Sequence, residues 1–453
     1  MSVELTGNSV ILVVADSVRA DMFHEEANNF RALSREGLAF TKAIAPAAWT
    51  LPSHVSMFTG MRPTEHRAVA RGGSKVELRS EVRAIVDDIA RTDNLLAPRL
   101  QKHGLRTFSS TPNPWLGPLT GLHRGFEERR FFGFLDVEGS SRHSPKSPPN
   151  SPGRVQQVRG VTRAIARHAR WVAAGKDKGA RQVLDALTQF VHQTSKPFFA
   201  FVNLIEAHEP HVHPPTKRRW KDPDYVKAAA NAIFQPGPIR AQRVRHHNWG
   251  ARQIPDRLLA RWTNAYRSEI RYLDTWLLEL TNMLESTGRL STTIVITTSD
   301  HGENFGEGGS VGHGVSLRES TAHVPLGIWG ADVRAAIIDV PVSLLGVRAT
   351  VEELTLGIQH EDSLLRGGTG VASIEIEDPA HVNRPPRGAT RASRGPGAAF
   401  YDGNLKLVVD PFDGEALYDL ARSGSEPVAA NEAPTDGQRS AKREWEARIN
   451  ARG

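Results

Sequence analysis

Three runs of consecutive apolar, largely β-branched or aromatic residues constrain this 453-residue chain more than any other feature: Ser9–Ala15 (SVILVVA), Pro197–Leu204 (PFFAFVNL) and Thr292–Thr298 (TTIVITT). A strand with one face in water alternates apolar and polar residues, so an unbroken apolar run predicts a strand covered on both faces, as in a parallel sheet between helical layers. Each run ends close to an acidic residue, respectively Asp16, Glu206 and Asp300. Helical periodicity fills the intervals over Glu25–Glu36, Glu81–His103, Gly179–Gln193 and Pro255–Gly288, the last with apolar residues at Leu258, Trp262, Ala265, Ile270, Leu273, Leu277 and Leu280. Strands alternating with helices predict a mostly parallel sheet with helices on both faces, whose ligands bind beyond the carboxyl ends of the strands.

Other segments read differently. Gly139–Gly153 (GSSRHSPKSPPNSPG) is Ser/Pro-rich and reads as a surface insertion. Val324–Trp329 is a further strand, a helix is expected around Ser343–Leu356, and Glu361–Ser393 is loop-like. Ala398–Asp419 suggests a small antiparallel β appendage, and the polar Ser423–Gly453 is expected to be frayed or helical at the surface. This divides the chain into residues 1–365 and a small C-terminal unit, 366–453.

No run approaches the roughly 18 apolar residues of a membrane span, and the segment before Asp16 has an acidic residue at Glu4 and no basic leader. It reads as a first strand, with no membrane anchor and a cytoplasmic location expected. The absence of cysteine excludes disulfides, thiolate metal ligands and a cysteine nucleophile. A net charge of +7 is concentrated in Arg154–Arg181 and Lys217–Arg252, which reads either as solvated helix faces or as attraction for an anionic partner. Oligomeric state is not legible.

The chemistry-bearing residues gather at the strand ends. Asp16 closes the first strand, Thr50 stands in AAWTLPSH, and Asp300 and His301 close a later strand in TTSDHGEN. Taken singly, an Asp after a strand is as readily a helix cap and a Thr before Leu-Pro a turn. Together, two carboxylates, an imidazole and a hydroxyl form a ligand set suited to a divalent ion, zinc or manganese, which would also lower the pKa of the Thr50 hydroxyl. Thr50-Leu51-Pro52-Ser53 further looks like a helix start with Thr50 at the cap, where an anionic ester would bind. Glu206, His208 and His211 in LIEAHEPH lie beyond another strand, and His313 follows in VGHGVSLRES. His54 and Arg62 near Thr50, and Asn113 in TPNPWL, are candidate supporting residues.

From Val10 to Trp329 these motifs resemble the sulfatase branch of the alkaline phosphatase superfamily, with a further echo in Phe400–Leu420. Formylglycine sulfatases carry Cys or Ser, any residue, Pro, Ser, Arg, and later Thr-Gly-Arg; this chain reads Thr50-Leu51-Pro52-Ser53-His54 and Thr59-Gly60-Met61-Arg62. The resemblance implies an alkaline-phosphatase-like three-layer α/β/α sandwich with a mostly parallel central sheet and a small C-terminal antiparallel β appendage. It implies one metal site of Asp16, Thr50, Asp300 and His301. It gives His208 and His313 the role of holding substrate oxygens or, with Glu206 and His211, a second metal. The two-zinc members carry an Asp with a His four residues on, whereas Pro210 stands four after Glu206. Tandem aspartates are also missing, since Ser17 follows Asp16.

Thr50 decides the expected mechanism, because formylglycine is made from Cys or Ser. The family's phosphodiesterases and phosphoglycerol transferases use a Thr, so the chain is expected to be a metal-dependent phosphate or phosphonate ester hydrolase without formylglycine. The alternatives are a formylglycine-independent sulfatase, a phospho-group transferase, and a non-catalytic scaffold that binds nucleic acid. The intact Asp16, Thr50, Asp300 and His301 set argues against the scaffold. The substrate expected is a small anionic ester, and Arg240, Arg243 and Arg245 would suit one with more than one negative charge.

Overall fold

The computed structural model describes residues 5–68, 75–91, 94–118, 120–132, 169, 176–212, 237–367, 371–379, 385–421, 428–430 and 432–451. The Gly139–Gly153 insertion, most of Arg154–Arg181 and residues 217–236 of the second basic stretch lie outside them.

Strands β1 (Ser9–Ala15), β2 (Leu38–Ile44), β3 (Arg106–Thr111), β4 (Glu128–Phe131), β5 (Phe198–Leu204) and β6 (Thr293–Thr298) belong to one large sheet. After the short hairpin of β7 (Asn304–Phe305) and β8 (Val311–Gly312), strands β9 (His323–Gly330), β10 (Ala336–Ile338) and β11 (Val342–Ser343) complete it. The order is β10-β2-β9-β6-β1-β5-β3-β4, with β11 also on β2. Every pairing is parallel except those of β9, which runs against both β2 and β6.

β1 lies at the centre, fully buried, and its alternation supplies two cores. Val10, Leu12 and Val14 pack on one face with Leu51, Val55, Val347 and Val351. Ile11, Val13 and Ala15 pack on the other with Val183, Leu187 and the stripe Leu258, Trp262, Tyr266, Ile270, Leu273 and Leu277 of the helix Asp256–Ser286. The three-layer α/β/α architecture follows from this two-sided burial.

Two helices expected as continuous are broken. Glu25–Glu36 becomes Ala20–Glu26 and Asn28–Arg35, because the Asp274 carboxylate accepts from the backbone N–H of Asn29 (3.1 Å) and Phe30 (2.9 Å) and so caps a new helix start. Glu81–His103 becomes Lys75–Arg91 and Leu96–Lys102, with Pro98 in the first turn of the second helix, where its missing N–H is tolerated.

A second, antiparallel sheet joins β12 (Ala372–Ile376), β13 (Gly397–Asp402), β14 (Leu405–Asp410), β15 (Gly414–Asp419) and β16 (Val428–Ala429) in sequence order. β12 falls inside the stretch read as loop. The C-terminal helix Asp436–Asn450 opens with a Thr435/Gln438 capping box and buries Ala441 and Trp445 against this sheet, the Trp445 ring 6.4 Å from Phe400.

Candidate active site

The parallel register of β1 and β6 sets Val14 beside Thr298, so the residues that follow the two strands emerge side by side. Asp16 leaves β1 with its backbone N–H on Leu204 O (2.8 Å). Ser17 then takes φ of +65°, a turn costly for a non-glycine residue, which aims its N–H at Asp300 Oδ1 (3.1 Å) and its hydroxyl at Asp16 Oδ1 (2.9 Å). Tyr266 holds that turn by donating to Ser17 O (2.8 Å) and accepting from Arg19 N (2.9 Å). Asn113, beyond β3, donates from Nδ2 to Asp16 Oδ2 at 2.7 Å.

Thr50 opens the helix Thr50–Thr59, and the extended Trp49 (φ −158°, ψ 164°) occupies the cap position expected for Thr50. The hydroxyl Oγ1 lies 3.4 Å from Asp16 Oδ2 and 3.5 Å from His301 Nε2. His301 Nδ1 bonds Gly302 O (2.9 Å), which fixes Nδ1 as the protonated nitrogen and turns the Nε2 lone pair toward the carboxylates, 3.8 Å from Asp16 Oδ1 and 3.5 Å from Asp300 Oδ2.

Asp16, Asp300 and His301, all fully buried, offer ligand atoms within 4.8 Å of one another. Donors ~2.1 Å from one tetrahedral ion lie about 3.4 Å apart, close to the separations seen among Thr50, Asp16, His301 and Asp300. Asp300 Oδ2 is buried without a hydrogen-bond partner. Burial raises both carboxyls, but the His208 and His301 imidazoles hold Asp16 below its ordinary range, whereas Asp16 adds to burial in pushing Asp300 well above it. Two adjacent buried carboxyls, one orphaned oxygen and a lone pair turned inward fit a divalent cation.

His208 and His313 flank this centre. Their rings are 5.1 Å apart, and His313 lies 4.5 Å from His301. His313 Nδ1 bonds Glu303 Oε2 (2.9 Å); burial opposes the charge, but the Glu303 carboxylate prevails and lifts the imidazole to about 9. Glu303 is therefore the partner that charges His313. His54 is fully buried, with Nδ1 2.8 Å from Thr50 O and 3.5 Å from Asp300 Oδ2, and burial lowers it to about 4, so it is a neutral prop beneath the nucleophile.

Other expected site residues fall elsewhere. The Glu206 carboxylate accepts from Lys178 N (3.0 Å) and Ala180 N (2.9 Å), capping the helix Ala180–Gln193, because helix N-terminal N–H groups demand an acceptor. His211 lies between Tyr266 and Phe305 with Nδ1 on Glu269 Oε2 (3.1 Å). Neither joins His208 and His313 in a second metal site, and among the described residues the three-ligand cluster is Asp16, Asp300 and His301. Arg62 does not brace the nucleophile but donates to Ser373 Oγ of β12 (2.8 Å). Arg240 is buried, 2.7 Å from Glu209 and stacked over Trp262 at 4.3 Å, so it is already committed to its own protein.

Sequence reasoning missed Ser17, Lys178 and Glu269. Glu269 had a signal: it sits on the apolar stripe of its helix beside Tyr266, Ile270 and Leu273, where an acidic residue must be paired. Lys178 was hidden inside a basic stretch.

A sequence model of the Sulfatase family matches residues 8–358. The chain belongs to the sulfatase family. This sulfatase-family protein is 24% identical over 434 residues to a choline-sulfatase of Rhizobium meliloti (strain 1021), covering 91% of this chain and 80% of that protein. It is 25% identical over 365 residues to the multifunctional alkaline phosphatase superfamily protein PehA of Trinickia caryophylli, covering 72% and 69%. The fold matches a phosphonate monoester hydrolase of Agrobacterium radiobacter with a TM-score of 0.62 at 19% identity, over 98% of this chain and 95% of that one. The sandwich is therefore alkaline-phosphatase-like, and the protein is a hydrolase acting on ester bonds. No helix among the described residues is long and apolar enough to cross a membrane.

Proposed function

We propose that this sulfatase-family protein hydrolyses a phosphate or phosphonate ester through Thr50, without formylglycine. The observation that carries the reading is a threonine hydroxyl, which cannot become formylglycine, set 3.4 Å from Asp16 and 3.5 Å from His301 at a helix start. A divalent ion held by Asp16, Asp300 and His301, manganese or zinc by its oxygen and nitrogen ligands, would supply Lewis-acid activation of the hydroxyl. The chain's own groups do the rest. Asp16 and His301 orient Thr50 Oγ1, while Asn113, Ser17 and Gly302 O hold those two in place.

Thr50 Oγ1 gives up its proton to solvent and forms a bond to phosphorus as the bond to the ester alcohol breaks, and the alcohol leaves with a proton from His313 or water. His208, His313 and the first N–H groups of the Thr50 helix face the charge that grows on the equatorial oxygens. Water then attacks the phosphorus of phospho-Thr50, the bond from phosphorus to Oγ1 breaks, the phosphate or phosphonate product leaves, and Oγ1 takes up a proton to regenerate the hydroxyl. Sulfate ester hydrolysis by the same residue is the second reading, favoured by the likeness to choline-sulfatase.

The test is a panel of aryl phosphodiester, phosphomonoester, phosphonate monoester and sulfate ester substrates on metal-reconstituted protein beside Thr50→Ala. Phosphodiester or phosphonate turnover lost in the variant supports the proposal. Sulfate turnover alone selects the second reading, and turnover that survives Thr50→Ala removes the nucleophile.

A further inference from the structure

We propose that Lys178 is a positioning residue, a buried ammonium that pins the backbone of the His208 loop and so holds the His208 imidazole beside His313. The inference rests on the reading of His208 as a group that meets the substrate.

Lys178 is 3% exposed, and its Nζ donates to Glu206 O (2.6 Å), His208 O (2.6 Å) and Glu269 Oε1 (2.8 Å). An ammonium has three donors and no acceptor, and here all three have partners. Two of them are carbonyls of one turn beyond the end of β5, where sheet pairing no longer supplies donors. The third, Glu269, also accepts from Val212 N (2.8 Å) and meets His211 Nδ1 (3.1 Å), so the loop is fastened at its far end by the same carboxyl. Glu209, between these anchors, is paired with the buried Arg240. From 206 to 212 the loop is therefore tied at five residues to Lys178, Arg240 and Glu269.

The consequence for His208 follows from its own hydrogen bond. His208 Nδ1 bonds the carbonyl of Glu209 at 2.8 Å, so the ring's orientation is set by the backbone at 208 and 209. Lys178 grips the carbonyl of His208 itself, which is the preceding peptide group. With Nδ1–H committed to the Glu209 carbonyl, Nε2 is the nitrogen left for the substrate side. An apolar side chain of similar length would fill the space of Lys178 without the desolvation cost of a buried cation, but it would leave the 206 and 208 carbonyls unpaired. The turn would then be free to change, and the His208 ring with it. Glu206 completes the arrangement by holding Lys178 N, so the loop that is fastened also fastens the residue that fastens it.

The experiment is a double-mutant cycle with Lys178→Met, His208→Ala and the double variant, on metal-reconstituted full-length protein, using whichever ester the substrate panel shows is turned over. Lys178→Met is expected to bind Mn2+ as the parent does, to keep KM within a few-fold, and to lose on the order of 10²-fold in kcat, the scale of removing one transition-state donor. The double variant is expected to be no slower than His208→Ala alone, since both changes remove the same contribution. Losses that multiply, or a folded Lys178→Met with unchanged kcat, overturn the proposal. Full activity in His208→Ala overturns the reading of His208 and this inference with it, whereas a slow His208→Ala with multiplying losses overturns the inference alone. Where Lys178→Met yields no folded protein, Lys178→Ala prepared in n-butylammonium chloride decides. A kcat that rises with the amine, and does so only while His208 is present, supports positioning; a kcat indifferent to the amine refutes it.

Discussion

Asn113→Ala isolates one hydrogen bond behind the proposed metal site. Asn113 Nδ2 donates to Asp16 Oδ2 at 2.7 Å, with both residues buried. A hydrogen bond to a charged group contributes about 1.5–3 kcal/mol, and at about 1.4 kcal/mol per decade this corresponds to roughly 10- to 100-fold in an equilibrium constant. Loss of a group that orients a metal ligand typically weakens binding by about the same 10- to 100-fold. Isothermal titration of Mn2+ into metal-free protein should therefore give a Kd raised by that factor. Alanine also removes the hydrogen bond from Trp115 N to Asn113 Oδ1 (2.9 Å), so metal-free protein should lose about 1 kcal/mol of stability as well. Asn113→Asp separates the two effects: it keeps an acceptor for Trp115 N and places a like charge against Asp16, so its metal-free melting temperature should fall below that of Asn113→Ala. A folded Asn113→Ala whose Kd stays within twofold of the parent would refute the assignment of Asp16 as a ligand oriented by Asn113.

Further outcomes follow from the buried titratable groups. Burial lifts Glu206 to about 7 and Glu269 to about 8, against the pull of Lys178, so both carboxyls bind protons more tightly in the folded chain. Their contribution is complete below about pH 4.5 and is lost as pH rises through 7 to 8; urea unfolding should show a decline on the order of a few kcal/mol over that window, flattened by Glu269→Gln. His313 is held protonated up to about 9 by Glu303 despite its burial, so kcat/KM should fall on the alkaline side, and Glu303→Gln should move that fall to lower pH; an unmoved profile would clear His313 of the role. Chelation should lower the melting temperature, because metal at 100-fold above its Kd stabilises the folded state by about 2.7 kcal/mol; an unchanged transition would argue against a bound ion.

Burial on both faces is written in composition, which is why Ser9–Ala15 is β1 residue for residue and the runs read at Pro197–Leu204 and Thr292–Thr298 miss β5 and β6 by one residue each. The strands that escaped notice are mixed: β2 is LAFTKAI, whose Thr41 is exposed and Lys42 half-buried, and β3 is RTFSST, whose Thr107, Ser109, Ser110 and Thr111 point to loop or surface on their own and are buried only by the fold around them. The break at Ala27 was equally hidden, since it depends on Asp274, 245 residues from Asn29 in the chain.

For the site, the sequence determined its chemistry. Thr50, Asp16, Asp300 and His301 were legible because a hydroxyl, two carboxylates and an imidazole at strand ends and a helix start make a recognisable ligand set, and the structure sets them side by side. Tertiary structure decided which other polar residues share that space. Glu206, His208 and His211 stand within six residues of one another, and nothing local distinguishes them. In the fold, Glu206 turns to an open helix end and His211 to Glu269, and only His208 is left beside His313. Sequence fixes which groups can ligate, cap or donate, but their partners come from elements far away in the chain, and burial then obliges each group to take the partner within reach.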